Sequence, residues 1–337
     1  MVLFVAPNRV QLGLGVATHK RKYIKMNTMK HKEKTMDNTF KNPMFDGADP
    51  FVLFHEGKYY LYCTTEINKE LIGANDFSTD TPEGDGIYVY VSDDLKNWIK
   101  EGYALKKGDS IGEKWFWAPE VLEYRGKFYM TYASEEHIAI AVADHPKGPF
   151  KQENKRWLRE GMAIDGSLFV DDDGSVYLYY VRLDGQNRIY VAKMTDDLSE
   201  IEKEYDDCLI CADAPWETKD CLIAEGPFCL KHNGLYYLSY SCNHTRCIDY
   251  GVGYAVSRSP LGPFKKYEGN PILTRKDTLL GVGHHSFLRM PNGGLYCAYH
   301  CHNVNSDYFR PRMACLNTAE FVKSEDGIDR LVINGPQ

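Results

Sequence analysis

DPFVLFHEGKYYLY, from Asp49 to Tyr62, reads as an apolar strand, a polar turn ending in Gly57, and a second strand dense in aromatics. That pattern is a β-hairpin. The chain writes it again as PEVLEYRGKFYMTY from Pro119, DGSLFVDDDGSVYLYY from Asp165, EGPFCLKHNGLYYLSY from Glu225 and HHSFLRMPNGGLYCAYH from His284, with turns ending in Gly126, Gly174, Gly234 and Gly294. Successive turn glycines stand 69, 48, 60 and 60 residues apart. Each interval has room for about four strands, and a four-stranded sheet repeated in series is a propeller blade. The predicted fold is all-β, a five-bladed β-propeller.

A second repeated phrase follows the hairpins in turn: IYVYVSDDLKNW, IAIAVADHPKGPF, IYVAKMTDDLSE, VGYAVSRSPLGPF and RMACLNTAEF. Each reads as a third strand leaving through a turn. The first blade inserts ELIGANDFSTDTPEGDG before Ile87, a Gly-, Asp- and Thr-rich loop expected to overhang one rim. The segment TAEFVKSEDGIDRLVINGPQ is expected to supply a closing strand. Residues 1–41 contain a basic, Met-rich run without period and read as a disordered or mis-assigned leader. Residues 42–337 read as a single catalytic propeller domain.

The 337 residues carry 40 basic and 47 acidic side chains, a net charge of −7, which disfavours a nucleic-acid partner. No run of eighteen or more apolar residues spans a membrane. The apolar start, MVLFVAPNRVQLGLGV, lacks the charged beginning of a secretory signal, so the expected location is cytoplasmic. Ten cysteines in such a chain are expected as reduced thiols. Cys208 and Cys211 have zinc-like spacing, but no second close pair follows them. Tyr and Phe are abundant, at 24 and 15, which suits strand packing and sugar-facing surfaces alike. Between blades lie Trp115, Phe116, Trp117 and Trp216, of which Trp117 and Phe116 are the expected stacking platforms for a sugar ring.

The innermost strand of every propeller blade runs along the central channel, so equivalent positions on successive blades converge on one axis. Asp49, Asp165, Glu225 and His284, which enter four of the five hairpins, are therefore expected to meet. Carboxylates crowded in one partly desolvated funnel have raised pKa values, and this separates an acid from a base. Two carboxyls in unlike environments are the equipment for glycosidic bond hydrolysis. Asp before Pro or Gly is also an ordinary turn residue. Glu225 is not, and it precedes Gly226 and Pro227 at the start of an apolar strand.

ADP at Ala48 to Pro50, WAPE at Trp117 to Glu120, IDGSLFVDDDG at Ile164 to Gly174, EGP at Glu225 to Pro227 and GHHSF at Gly283 to Phe287 together resemble family 43 glycoside hydrolases. The resemblance runs from about Asn42 to the C-terminus. It implies a five-bladed propeller acting on arabinose- and xylose-containing oligosaccharides or polysaccharides. It makes Asp49 the general base, Glu225 the general acid, and Asp165 the carboxylate that orients the acid and tunes its pKa. It also implies inversion of configuration, with acid and base roughly 6.5–9.5 Å apart to admit a water. Arg312 best fits the Arg that many members place near the sugar, with Arg310 as its rival.

His284 corresponds to an axial His that in many members holds a water or a calcium ion. His285 is the alternative, but the spacing from His284 to Ser286 mirrors that from Asp165 to Ser167. Calcium on one His would be mostly water-coordinated and structural; no cofactor is required. With no further domain read after Asn317, an α-L-arabinofuranosidase is expected, and a β-xylosidase or endo-arabinanase is the alternative. The rival from another class is a non-catalytic carbohydrate-binding propeller, and the rival enzymes are a fructan hydrolase and a mannoside phosphorylase. The oligomeric state is left open.

Overall fold

Three of the repeated hairpins turn through two residues with positive φ, as a tight turn between right-twisted strands requires. These are Glu56 and Gly57 (φ 48° and 81°), Arg125 and Gly126 (50° and 79°), and Asn233 and Gly234 (49° and 74°). Glycine takes the second place in each, where the left-handed backbone is most extreme. In the fifth hairpin the left-handed glycine is Gly293 rather than the expected Gly294.

The computed structural model describes residues 40–64, 86–305 and 309–336. Most of the 1–41 leader and nearly all of the 70–86 insertion lie outside them. The described residues belong to one unit, Asn38–Gln337. A short β1 (Phe45–Asp46) precedes the blades. Blade one is β2 (Ala48–His55), β3 (Lys58–Thr64), β4 (Gly86–Ser92) and β5 (Ile99–Lys106). Blade two is β6 (Trp117–Tyr124), β7 (Lys127–Ser134) and β8 (His137–Ala143), its outer edge marked by one bridge, Val142 to Lys151. Blade three is β9 (Ala163–Val170), β10 (Val176–Leu183), β11 (Asn187–Met194) and β12 (Ile201–Glu204). Blade four is β13 (Ala224–His232), β14 (Leu235–Cys242), β15 (Gly251–Ser257) and β16 (Lys265–Lys266). Blade five is β17 (Gly283–Arg289), β18 (Leu295–Cys301) and β19 (Met313–Val322). Its edge is completed by both β1 and β20 (Arg330–Ile333), which pair with opposite halves of β19. The expected closing strand is thus shared between the two ends of the described chain.

Every strand pair is antiparallel, and the second repeated phrase forms the third strand of each blade. The first strands close a ring: β2 packs on β6 and β17, β6 on β9, β9 on β13, and β13 on β17. The core lies between neighbouring blades. One cluster joins blades one and two through Tyr62, Ile87 and Met130. Similar clusters join each following pair, and the last joins blade one to blade five through Leu61 and Leu316. Most of the tyrosines belong here. Tyr62, Tyr179 and Tyr237 are fully buried and send their hydroxyls to the carbonyls of Pro146, Pro260 and Asp329. Each ring fills an inter-blade layer while its polar end is satisfied at a loop.

Cys208 and Cys211, expected as thiols with zinc as the alternative, are joined as a disulfide. A sulfur bonded to its neighbour is not a zinc ligand. The other eight cysteines are outside any disulfide, six of them buried as small apolar groups. No helix among the described residues is long and apolar enough to cross a membrane.

Candidate active site

All five inner strands carry the same irregularity near their start. Two residues face one on the second strand at Asp49-Pro50, Ala118-Pro119, Asp165-Gly166, Gly226-Pro227 and His284-His285. The first residue of each pair has positive φ, between 45° and 56°. This is a β-bulge of the kind that normally takes glycine first, yet only Gly226 is glycine. The bulge frees an N–H from the ladder, and in four of the five blades the preceding blade supplies its partner. Asp49 donates to His300 Nδ1, Ala118 to Thr64 Oγ1, Gly226 to Asp165 Oδ2 and His284 to Ser241 Oγ, at 3.3, 2.7, 2.9 and 2.9 Å. Five-fold repetition thereby delivers Asp49, Asp165 and His284 to one level of the channel.

Glu225 is not on that level by register. It pairs with Ser241 one position before the bulge, where the other blades have Ala48, Trp117, Ile164 and Gly283. The expectation that the acid occupies the same place as Asp49 is corrected by one residue. The group still assembles: His284 Nδ1 lies 3.3 Å from Asp49 Oδ1 and 4.0 Å from Asp165 Oδ2. The charges of Asp165, His284 and Asp49 all act on Glu225.

The three carboxyls are all buried, and their surroundings split them. Burial pushes Asp49 up, but the Arg312 guanidinium, then His284 and His300, outweigh it and hold the carboxyl well below the usual range. Arg312 grips Asp49 with both nitrogens, at 2.8 and 3.2 Å, and Thr64 Oγ1 donates to it at 2.6 Å. Glu225 goes the other way. Burial first, and then the Asp165 charge, push it up to about 7 against the pull of His284 and the Tyr250 hydroxyl. Tyr250 donates to Glu225 Oε1 at 2.7 Å and Asn187 Nδ2 to Oε2 at 3.3 Å. Asp165 is raised too, by burial above all, with Asp49 adding to the rise while His284 and the Gly226 N–H resist it. His284, although burial opposes its charge, is raised by Asp49, Asp165 and Glu225 together. An ionised carboxylate beside one that keeps its proton is a base and an acid ready at the same pH.

Residues 40–327 match the sequence model of the family described as Glycosyl hydrolases family 43. The chain belongs to glycoside hydrolase family 43. It is 31% identical over 312 residues to an arabinoxylan arabinofuranohydrolase of Paenibacillus polymyxa, the match covering 78% of this chain and 46% of that protein. The chain thus spans about half the length of that relative. A β-D-galactofuranosidase of Aspergillus niger is 27% identical over 303 residues, covering 83% of this chain and 82% of its own. The solved structure of an endo-1,4-β-xylanase from Bacteroides thetaiotaomicron superposes with a TM-score of 0.76 at 40% identity, covering 88% of this chain and 97% of that one.

In this family 43 chain two expected platform residues part company. Trp117 occupies on blade two the register position that Glu225 occupies on blade four, and it stacks on Trp115 with ring centroids 5.8 Å apart. Phe116 is a correction: it is buried in the core between blades one and two and stacks on Tyr132. Trp216 likewise packs on Tyr240. Arg312, expected at the sugar, is buried and committed to Asp49.

The His284 ring sits between carboxylates, its Nδ1 nearer to Asp49 than to Asp165. With His284, the residues Asp49, Glu120, Asp165 and His285 line a cavity of about 10 Å³. That is room for one water, not for calcium with its six to eight oxygens. No group of three or more His, Cys, Asp or Glu among the described residues is arranged to hold a metal. Neither that volume nor that donor set fits the ion.

Sequence reading missed Thr64, Asn187, Tyr250, His300 and Glu120. Burial, with Asp165 adding and Ser167 opposing, pushes Glu120 up to about 8. Thr64 ends the aromatic second strand of blade one and His300 is the last residue but one in that of blade five, so the ends of these strands carried a signal.

Proposed function

We propose that this chain hydrolyses glycosidic bonds of arabinoxylan-type oligosaccharides in one displacement with inversion, releasing α-L-arabinofuranosyl units. The observation that carries the reading is the split between Asp49, held ionised by Arg312, and Glu225, held protonated towards neutrality by burial and Asp165. Asp49 takes a proton from water as the water oxygen bonds to the anomeric carbon. The bond to the leaving oxygen breaks, and Glu225 passes its proton to that oxygen. Asp165 and His284 set the charge between them.

The arabinofuranosyl preference is supported by the Paenibacillus relative, described as an arabinoxylan arabinofuranohydrolase. A second reading, cleavage of a β-xylosidic bond, is favoured by the 40% identical structure described as an endo-1,4-β-xylanase. Paired chromogenic arabinofuranoside and xylopyranoside substrates separate the two. Glu225→Ala with added azide tests the acid: partial rescue, with a glycosyl azide of inverted configuration, is the expected result. Near-wild-type turnover of Glu225→Gln or Asp49→Asn on an unactivated oligosaccharide would overturn the roles.

A further inference from the structure

Besides the funnel, the same face carries a groove of about 600 Å³ at the rim of blade three, reaching Glu136 of blade two and Leu222 before blade four. That is ample for one or two sugar rings. Much of its wall lies at or beside the ends of the strands that carry the site. Met162 immediately precedes β9, Leu183 ends β10, Asn187 opens β11, and Ile223 immediately precedes β13. The floor is fixed by backbone: Leu183 N–H bonds Met162 O, Ala163 N–H bonds Glu136 O, and Asn187 is bridged to Ile223.

The groove joins the catalytic centre through one side chain. Asn187 lines it and donates to Glu225 Oε2, while Tyr250 donates to Oε1. Of the two oxygens, Oε2 is therefore the one turned towards the groove. Two large apolar side chains stand open here, Met162 at 47% exposure and Leu222 at 44%. They sit among the polar groups of Glu136 and Gln186. Apolar surface beside hydrogen-bonding groups suits a sugar ring, which has an apolar face and a polar edge.

In a single displacement water and leaving group lie on opposite faces of the anomeric carbon, so the leaving sugar is on the side of the acid and away from the base. We propose that this groove is the leaving-group subsite, in which a xylopyranosyl unit of the substrate backbone rests on Met162 and Leu222 while Glu225 Oε2 delivers its proton to the linking oxygen. The assignment rests on the reading of Glu225 as the acid. Leaving-sugar contacts that persist in the transition state raise kcat/KM for a long substrate and do little for one whose leaving group departs unaided.

The test measures kcat/KM on an arabinoxylo-oligosaccharide and on the 4-nitrophenyl glycoside of the same sugar, together with inhibition of the latter by xylotriose. Wild type, Met162→Ala, Leu222→Ala, the double variant and Ile99→Ala are compared. Ile99 is an exposed apolar residue on blade one, outside the groove. The double variant should lower the ratio of the two kcat/KM values at least tenfold and raise the xylotriose Ki by a similar factor, with Ile99→Ala like wild type. An unchanged ratio and Ki in the double variant, with Glu225→Gln inactive on the oligosaccharide, would overturn the groove assignment alone. Full activity of Glu225→Gln would instead overturn the acid assignment beneath it.

Discussion

Tyr250→Phe should move the alkaline limb of the pH profile upward by about one unit. The Tyr250 hydroxyl lies 2.7 Å from Glu225 Oε1 and favours the ionised carboxylate. A hydrogen bond to a charged group contributes roughly 1.5–3 kcal/mol. The neutral acid keeps part of that bond, so the difference between protonation states is about 1.4 kcal/mol, or one pKa unit. Glu225 stands at about 7 with the bond in place, and without it the group holds its proton to about one unit higher. An acid works while protonated, so activity that is lost as pH rises through about 7 in the wild type persists further in the variant. The ring itself stays supported, because it stacks on His300 with centroids 5.5 Å apart and planes 10° from parallel. The assay is kcat/KM against pH on an unactivated oligosaccharide, since a nitrophenolate leaves without acid help. A limb that stays in place, or moves to lower pH, in a variant that melts like wild type would refute the Glu225 assignment.

Asp165→Asn should move the same limb the other way, because its charge is second only to burial in raising Glu225; an unmoved limb would argue against its tuning role. Arg312→Gln removes the cation that most opposes the burial of Asp49, so the acidic limb should shift to higher pH and the rate should fall by about 10²-fold or more, the scale of a general base. An acidic limb that stays in place in a variant that melts like wild type would refute that account. Glu120→Gln bears on stability. Folded Glu120 keeps its proton to about pH 8, whereas an unfolded Glu loses it near 4.3, so the wild type loses stability as pH rises between those values. The glutamine variant should match the wild type at pH 4 and resist urea better at pH 9, by a few kcal/mol. Equal midpoints at pH 9 would refute burial as the cause.

The blades were legible because each hairpin carries its own turn chemistry and a period of two. Local signals stopped short of register. Aligning the copies by their acidic residues puts Glu225 beside Asp49, whereas the dipeptides Asp49-Pro50, Ala118-Pro119 and Gly226-Pro227 mark the bulge itself. Proline fits there because the bulged residue has no ladder partner for an N–H. The same period of two separates Trp115 and Trp117 from Phe116, which the core claims. Arg312 and His300 reach Asp49 across 263 and 251 residues of sequence. Contacts at that range follow from ring closure and are invisible to any window along the chain.

The asymmetry of the ring is where fold becomes chemistry. Left-handed backbone at a residue other than glycine costs on the order of 1–3 kcal/mol, and Asp49, Asp165 and His284 all adopt it. At Gly226 the fold takes the cheaper residue, and there the functional side chain moves one position back, to Glu225. The displacement changes the company each carboxyl keeps. Asp49 stays on the axis, where Arg312 and Thr64 meet it from blades five and one. Glu225 is turned towards Asn187 and Tyr250, where burial and the Asp165 charge raise it. One bulge repeated five times would give a ring of like carboxylates competing for protons; one register step off it separates an ionised base from a protonated acid.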